Sequence, residues 1–196
     1  GVYSIRIAGN TKTETSYLLN HVAPLIESLF DVKVGIYLHR TCNETVLWVC
    51  GRKLVEFLIK MGFPAGNKIR NSVSIPEWIY NTKDYLKACI RGLVDTDGSI
   101  YPLEPHYPNL LQICFKNKNM KLLKDVRLIL QKLGYAPSKI TWDKIYLTRQ
   151  KEIDRYVKEI GFNNPNHLER YLTVREIYPR SGILIKHNKV VWSPVV

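Results

Sequence analysis

The 196-residue sequence predicts an α+β fold built from two copies of one supersecondary unit. Two helix patterns in the first half, beginning at Tyr17 and Lys53, recur in the second half at Lys121 and Lys151. Short stretches of alternating polarity lie between the paired helices and before the first helix of each pair. Each unit therefore has the predicted order strand, helix, strand, strand, helix.

The helix patterns match in detail. "YLLNHVAPLIESLF" and "KLLKDVRLILQKLGY" both carry apolar residues at the three- and four-residue spacing of a helix face. About forty residues later, "KLVEFLIKMGFPAGNK" parallels "KEIDRYVKEIGFNNPNH", and their ends "MGFPAGNK" and "IGFNNPNH" align without a gap. This agreement over two separate helices indicates an internal duplication.

The alternating stretches supply the predicted strands. "YSIRIAG" and "LLQICFKN" precede the first helix of each unit. "VKVGIYLHR" with "TVLWVCG", and "KITWD" with "KIYLTRQ", form the predicted hairpins, which turn at Asn43 and at Asp143 to Lys144.

The second unit has more sequence at its front than the first. A helix is predicted from about Lys83 to Thr96, and "SIYPLE" is a further strand, yet neither has a counterpart in the first unit. We therefore expect residues of the first unit upstream of Gly1, although divergence of the two halves is an alternative. The expected divisions are residues 1–78, residues 79–176 and a tail of 177–196, for which a capping strand is expected.

Charge gives the first indication of function. The 29 basic and 17 acidic residues leave a net charge of +12, which favours a polyanionic partner because cationic side chains displace condensed counterions. Nucleic acid is the natural candidate, and a merely soluble basic protein is the alternative. No membrane-spanning stretch or signal peptide is evident, and the four cysteines lack metal-site spacing. We expect a cytoplasmic protein with reduced, buried thiols and no membrane partner.

The helix predicted from Lys83 carries a stripe of small side chains. Ala88, Gly92 and Thr96 recur at four-residue spacing, and such a stripe lets a partner helix approach closely. Gly92 costs about 1 kcal/mol relative to alanine inside a helix, so its presence calls for a packing reason. The pattern predicts that this helix packs against its own sheet on one side and a second helix on the other.

Two carboxylates lie at the C-terminal end of this helix, where the macrodipole disfavours negative charge. Asp95 and Asp97 are therefore costly there unless a cation joins them, and Gly98 is expected to end the helix in a left-handed turn. Two such helices packed along their stripes would bring two carboxylates together, which suits a divalent metal and phosphodiester hydrolysis. A capped helix followed by a polar turn is the alternative.

The segment "IRGLVDTDG", Ile90 to Gly98, resembles the nine-residue LAGLIDADG motif of homing endonucleases. "IPEWI" before the helix, "IGFNNPNHLERY" after it and the internal duplication are also similar to the two-repeat, monomeric, archaeal intron-encoded members of that family. The resemblance extends from Tyr3 to about Tyr171. Arg91 and Thr96 depart from it by replacing alanines.

The resemblance implies two αββαββα repeats related by a pseudo-twofold axis, with central motif helices and saddle-shaped antiparallel sheets against the DNA major groove. The first repeat would lack its leading helix and strand in this chain. Family members of this type have one motif and one acidic residue per repeat, whereas this sequence shows a single motif. The first motif would lie upstream of Gly1 in a monomer; otherwise the chain would dimerise through its single motif helix or be inactive.

The resemblance also implies roles for individual residues. Asp97 would bind Mg²⁺, or Mn²⁺, and help to position the attacking water, and Gly98 is assigned to the metal site with it. Lys116 and Lys118 would polarise solvent or stabilise charge on the phosphorus, with ordinary phosphate contact as the alternative. Asp95 is assigned to the helix interface with Ala88, Gly92 and Thr96. Weaker candidates at the site are His167 and Lys68.

Cationic and aromatic residues on the predicted strands and turns are candidates for contact with double-stranded DNA. They are Arg6, Tyr37, His39, Arg40, Trp142, Lys144, Tyr146 and Arg149. The function expected first is a site-specific, metal-dependent endonuclease that makes double-strand breaks at a long target. A second hypothesis is an inactive relative that binds DNA or intron RNA, such as a maturase or a regulator.

Overall fold

The computed structural model describes residues 3–39, 41–66, 71, 73–180 and, for the backbone alone, 183–186 and 189–192. The chain divides into two compact units, Gly1–Gly66 and Asn67–Val196. No helix in these described ranges is long and apolar enough to cross a membrane.

The first unit is a three-stranded antiparallel sheet with helices, and it begins with a strand. Its sheet order is β1-β3-β2, so the last strand in sequence is central. The elements in chain order are β1 (Ser4–Asn10), α1 (Thr15–Tyr17), a π-helical segment (Leu18–Val22), α2 (Ala23–Phe30), β2 (Gly35–His39), β3 (Glu44–Cys50) and α3 (Arg52–Lys60).

The π-helical segment lies between α1 and α2 and ends two residues before Pro24. Pro24 lies at the start of α2 and has no amide hydrogen to donate to the preceding turn. A wider turn accommodates such a residue without ending the helix. Leu18 and Ala23 are then buried with Leu47 of the central strand, and these three form the small core of the unit.

The second unit places its helices against one face of another three-stranded antiparallel sheet, with order β4-β5-β6. The tail, for which one capping strand is expected, forms a two-stranded hairpin. In chain order the elements are a 3-10 helix (Glu77–Asn81), α4 (Lys83–Asp97), β4 (Gly98–Glu104), β5 (Tyr107–Lys116), α5 (Met120–Lys132), β6 (Lys144–Leu147), α6 (Gln150–Glu159), α7 (Pro165–Ile177), β7 (Ile183–Lys186) and β8 (Lys189–Trp192).

Helix α4 forms where the sequence predicts it, because its start and its buried face are both well defined. Thr82 caps the N-terminus through its hydroxyl oxygen, which accepts the Tyr85 amide at 3.1 Å. Leu86, Ile90 and Val94 recur at four-residue spacing and lie in the main core. The side chains opposite this stripe are therefore left outside the core.

The internal duplication is visible in the strand pairing of the two units. Strand β1 precedes the helix and pairs with β3, just as β5 precedes α5 and pairs with β6. Helices α3 and α6 follow the second strand of each pair. The α+β class and the repeated strand and helix order are thus confirmed.

The prediction of a strand at "KITWD" is wrong. This segment forms an isolated bridge, between Thr141 and Lys144, in place of a strand. The Tyr146 amide is taken by the side-chain hydroxyl of Ser138 at 3.0 Å, which interrupts a regular backbone ladder. Trp142 adopts a left-handed conformation with φ 57°, so the chain turns at Trp142 and Asp143 and β6 begins at Lys144.

The segment leading into α4 is fixed to α5 in the second unit. Asp125 accepts hydrogen bonds from the Ser74 hydroxyl at 2.7 Å and the Ile75 amide at 3.0 Å, and Ile75 is part of the main core. The compact units thus divide at residue 66, earlier than the boundary at 78 that the repeat suggests.

None of the four cysteines, all within the described ranges, forms a disulfide. The expectation that they are buried is correct for Cys114 and wrong for Cys42 and Cys50, which are exposed; Cys89 is intermediate. Cys42 lies in the turn before β3 and Cys50 on the side of β3 that faces away from the helices.

A buried ionic network joins α6, α7 and β5. The Arg175 side chain is fully buried and donates to Asp154 at 2.9 Å, to the Asn109 carbonyl at 3.2 Å and to Gln150 at 3.0 Å. Asp154 also accepts the Tyr171 hydroxyl at 3.1 Å. A guanidinium in the core is tolerated because these partners replace its water shell.

Asp154→Ala should lower the free energy of unfolding by about 3–5 kcal/mol, because it leaves the Arg175 charge buried without its carboxylate. Glu56→Ala is the matched control, since Glu56 forms an exposed pair with Arg52, four residues earlier on α3. Its loss should cost about 0.5 kcal/mol or less. Urea unfolding measures both values, and equal losses would contradict the network's role.

A histidine on α7 is also buried in the second unit. His167 packs edge-on against Phe162 with ring centroids 5.5 Å apart. Burial, reinforced by the nearby positive charge of Arg170, lowers the pKa of His167 to about 4 from its usual 6.5. The imidazole is therefore neutral in the folded protein at physiological pH.

The buried His167 should make folding sensitive to mild acid. Between about pH 6.5 and 4 the unfolded chain binds a proton that the folded protein does not, so stability should fall as the pH drops through this window. The expected loss is about 2–3 kcal/mol. His167→Leu should remove that loss, whereas His106→Leu, at an exposed position, should keep it. Chemical unfolding at several pH values decides, and unchanged acid sensitivity in His167→Leu would contradict this account.

Candidate metal and nucleic-acid site

The two motif carboxylates point in different directions. Asp95 and Asp97 are two residues apart, which places them about 200° apart around the helix axis. Asp95 is 1% exposed, whereas Asp97 is exposed to solvent. Only one of the pair is thus presented to a ligand.

Asp95 fastens the end of α4 to the start of α7. Its carboxylate accepts the backbone amides of Asn163 at 2.9 Å and Asn164 at 3.2 Å. In return, the Asn164 side chain donates to the Asp95 carbonyl at 2.9 Å and also caps α7. The buried charge therefore lies near the positive end of the α7 dipole, which offsets its cost at the negative end of α4.

This geometry separates Asp95 from the other residues assigned to the helix interface. Ala88, Gly92 and Thr96 lie on the exposed side of α4, and a methyl group added at Gly92 would meet no atom beyond its own stretch of helix within 4 Å. Asp95 is instead on the buried side. The small-residue stripe is an open surface, and Asp95 is not part of it.

The exposed Asp97 has an amide beside it. The Asn117 side chain donates to Asp97 Oδ2 at 2.9 Å. Two further hydrogen bonds hold Asn117 in place. Its side-chain Oδ1 accepts the backbone amide of Asn119 at 2.8 Å, and its backbone amide donates to the Asp143 carbonyl at 2.9 Å. The contact between Asn117 and Asp97 is thus built into the end of β5.

Sequence reasoning selected the lysines on either side of Asn117 and missed Asn117 itself. Lys116 is exposed and lies 3.7 Å from the Asp143 carboxylate, and Lys118 is also exposed. The position of Asn117 in the sheet could have indicated it. Strand β4 starts directly after Asp97 and pairs with β5, so the end of β5 lies next to the motif. Asn117 therefore contacts Asp97 directly, and Lys116 and Lys118 are its exposed neighbours in sequence.

Gly98 ends the helix differently from the expectation. Its φ of −102° and ψ of 178° are extended, so the predicted left-handed turn is wrong. Glycine is required here by close approach, since a Cβ would lie 2.5 Å from the Val94 carbonyl oxygen. The chain passes straight from α4 into β4, which keeps Asp97 at the edge of the sheet.

The Asp97 carboxylate can supply part of the oxygen ligand set that a hard divalent cation requires. Mg²⁺ prefers oxygen ligands and commonly takes one or two carboxylates from protein, with water and phosphate oxygens completing its shell. Asp97 offers such a carboxylate at a helix C-terminus, where positive charge is favoured. Within the described ranges no group of three or more acidic, histidine or cysteine side chains could enclose a metal. Asp97 would therefore share the ion with another ligand.

Arg91, which departs from the motif, has a structural explanation. Its guanidinium donates to the Ile160 carbonyl at the end of α6 at a distance of 2.5 Å. A cation at a helix C-terminus is stabilising. The substitution therefore adds a link between α4 and α6 and leaves the small-residue stripe unchanged.

The face of the second sheet that points away from the helices carries several of the predicted DNA contacts. Lys144 lies opposite Lys116, and Tyr146 lies opposite Cys114, which neighbours Tyr101 on β4. Burial and the adjacent Cys114 raise the pKa of Tyr101 to about 12, so its hydroxyl keeps its proton. This face presents hydrogen-bonding and cationic groups.

Two further candidates lie beyond this sheet face. Trp142 is 90% exposed at the tip of the turn before β6. Arg149 lies at the start of α6, where it pairs with Glu152 at 3.4 Å. Trp142 is thus fully accessible, while Arg149 is partly engaged with its own helix.

The open face of the first sheet carries Arg6, Tyr37 and His39. Arg6 lies opposite Trp48, and Tyr37 stacks edge-on against His39 with ring centroids 5.2 Å apart. Trp48 was missed from the sequence, although the alternation of "TVLWVCG" places it on the face opposite Leu47. Arg40 falls outside the described residues.

The weaker candidate His167 is not brought to this site. His167 lies in the core of the second unit, so its side chain is not presented to solvent as a catalytic base would require. Lys68 falls outside the described residues.

Residues 84–161 match the family model of the LAGLIDADG-like domain. No curated protein matches the chain. The matched segment includes α4 with its two aspartates and the strands and helices through α6.

Solved structures extend the likeness beyond this segment. The homing endonuclease I-DmoI in complex with DNA and Mn aligns with a TM-score of 0.57 and 21% identity over 82% of this chain and 81% of that one. The LAGLIDADG meganuclease I-AabMI bound to uncleaved DNA aligns with a TM-score of 0.55 and 8% identity over 90% and 84%. The resemblance of the motif is thereby confirmed: residues 84–161 match the LAGLIDADG-like domain, and the chain has the fold of the LAGLIDADG homing endonucleases.

Proposed function

We propose that this protein is a site-specific endonuclease that hydrolyses double-stranded DNA with Mg²⁺ or Mn²⁺. The observation that carries the proposal is the exposed Asp97 carboxylate at the end of α4, which accepts a hydrogen bond from the Asn117 side chain. Two exposed lysines, Lys116 and Lys118, flank Asn117 in sequence. The net charge of +12 supports a nucleic-acid partner. I-DmoI, which shares the fold, has been solved with DNA and Mn, and a single-residue variant of it has been solved with its target DNA in the presence of Mg.

Each residue at the proposed site has a different role in the reaction. Asp97 would hold the cation, and Gly98 fixes the backbone from which Asp97 projects. When bound, the cation supplies Lewis-acid stabilisation of the phosphate oxygens and of the attacking water. Asn117 limits the rotation of Asp97 by its hydrogen bond to Oδ2. Lys116 and Lys118 bring positive charge to the edge where charge develops on the phosphate.

The open sheet faces supply the DNA contacts in this proposal. On the second sheet, Lys144 and Tyr146 point away from the core with Lys116. On the first sheet, Arg6 and Tyr37 are similarly exposed. Antiparallel sheets with alternating side chains can present every second residue to a groove of the duplex.

Double-strand cleavage calls for a second carboxylate besides Asp97. The exposed stripe of Ala88, Gly92 and Thr96 is the surface on which a helix carrying it would pack, because the small side chains permit close contact. A second copy of the chain would bring its own Asp97, and another motif helix in the natural protein would bring a different carboxylate. The first arrangement predicts a homodimer on DNA and the second a monomer.

Asp97→Asn should reduce cleavage by about a thousandfold while leaving DNA affinity and thermal stability near those of the parent protein. The assay incubates the protein with a randomised duplex library and MgCl₂, recovers cut ends by adaptor ligation, and then measures rates on the recovered sequence. Asp95→Asn is the matched control, since it weakens the link between α4 and α7. The Asp95→Asn variant should have a lower thermal stability than the parent protein, while the cleavage rate of its folded fraction should change little.

The two aspartates thus separate catalysis from folding. Undiminished cutting by Asp97→Asn would contradict the assignment of Asp97. Tight DNA or RNA binding with no Mg²⁺-dependent cleavage by the parent protein would favour the binding-only maturase or regulator.

A further inference from the structure

The open face of the first sheet contains a shallow groove of about 360 Å³. It is lined by Ser4, Arg6, Tyr37, Val46, Trp48 and Cys50. Arg6 carries the one charge among these six side chains. Most of the remaining surface is aromatic or aliphatic, which is unusual for a face expected to meet a polyanion.

Trp48 is held in a fixed position in this groove. It lies between Arg6 on β1 and Gly35 on β2 in the strand register. A Cβ at Gly35 would lie 2.3 Å from the indole ring, so the ring rests directly on the glycine backbone. The indole is nonetheless 46% exposed. It therefore forms a rigid apolar surface that loses little conformational entropy on binding.

The neighbouring row of the sheet continues this apolar surface. Val46 pairs with Tyr37 across the strands, and the Tyr37 ring is 54% exposed. The corresponding face of the second sheet differs, since it presents Tyr101, Lys144 and Tyr146 as hydrogen-bonding groups. The two sheets are thus equipped to recognise different chemical features.

Base edges in the major groove present hydrogen-bond donors and acceptors, with one prominent apolar group, the C5 methyl of thymine. An aromatic surface beside a single guanidinium matches a thymine methyl next to a phosphate or a guanine. Resting on the proposed function, we propose that the groove of Trp48 and Tyr37 reads thymine methyl groups in the part of the target bound by the first unit.

The experiment removes the methyl group alone. Duplexes bound by the chain are selected from a randomised library, and the selected sequence is resynthesised with deoxyuridine replacing thymidine one position at a time. Each methyl that the groove contacts should contribute about fourfold in affinity, measured by fluorescence anisotropy. Because the parent protein is used, this comparison does not depend on the folding of any variant.

Variants then locate the effect. Trp48→Ala should bind the thymidine and deoxyuridine duplexes equally, and Trp48→Phe, which keeps a ring over Gly35, should retain part of the difference. Arg6→Ala is the matched control: it should weaken binding to both duplexes by the same factor and keep the difference. Thermal unfolding verifies that each variant is folded.

Three results would overturn the inference. Equal affinity of the parent protein for both duplexes would exclude methyl recognition, and a methyl effect that persists in folded Trp48→Ala would place it elsewhere. Self-association that Trp48→Ala abolishes, without any methyl effect, would assign the groove to a second copy. Failure to bind duplex DNA at all would instead contradict the proposed function itself.

Discussion

A buried carboxylate determines how the candidate site is built. Asp95 would be strongly unfavourable inside the second unit if it were not paired with the amides that precede α7. By fixing α4 to α7, it sets the rotation of the helix about its own axis. Asp97, two residues later, is then directed to solvent. The acidic pair of the motif thus combines one structural and one exposed carboxylate.

The second constraint is the direct passage from α4 into β4. Gly98 lets the strand begin immediately because its missing side chain leaves room for the Val94 carbonyl. The end of β5 therefore comes to lie beside Asp97, and the Asn117 amide meets it there. The position of Asp97 at the edge of the sheet results from this backbone geometry. The segment "FKNKN" supplies Asn117 and the two lysines that flank it in sequence.

Each of the two sheets also has a face that points away from the helices. Alternation along each strand separates a core face from an open face, so the same strands that bury Ile113 and Leu147 direct Lys116 and Tyr146 to the open face. The open face of the first sheet is mainly apolar and that of the second mainly polar. Under the proposed function, the two faces would therefore recognise different features of DNA.

Much of the fold could be predicted from periodicity and repetition, because α4, α5 and α6 have strong helical patterns and "LLQICFKN" lies within β5. The failures are local. "KITWD" alternates like a strand, but the Ser138 side chain replaces a backbone partner there. Gly98 suits a left-handed turn by type, yet close packing determines its conformation.

The site was predictable to a similar degree. The motif identified both aspartates, but sequence alone could not assign Asp95 to the core, because that depends on amides 68 and 69 residues away. Asn117 was missed because a single amide between two lysines has no distinctive pattern. Trp48 could have been found from strand alternation, since its neighbour Leu47 belongs to the core.

Binding of a divalent cation by Asp97 can be tested by locating Mn²⁺ through anomalous scattering in crystals of the protein with a selected duplex. We expect an anomalous peak bonded to an Asp97 carboxylate oxygen and to a DNA phosphate oxygen. Bound DNA with Mn²⁺ held by other residues, and none at Asp97, would contradict it.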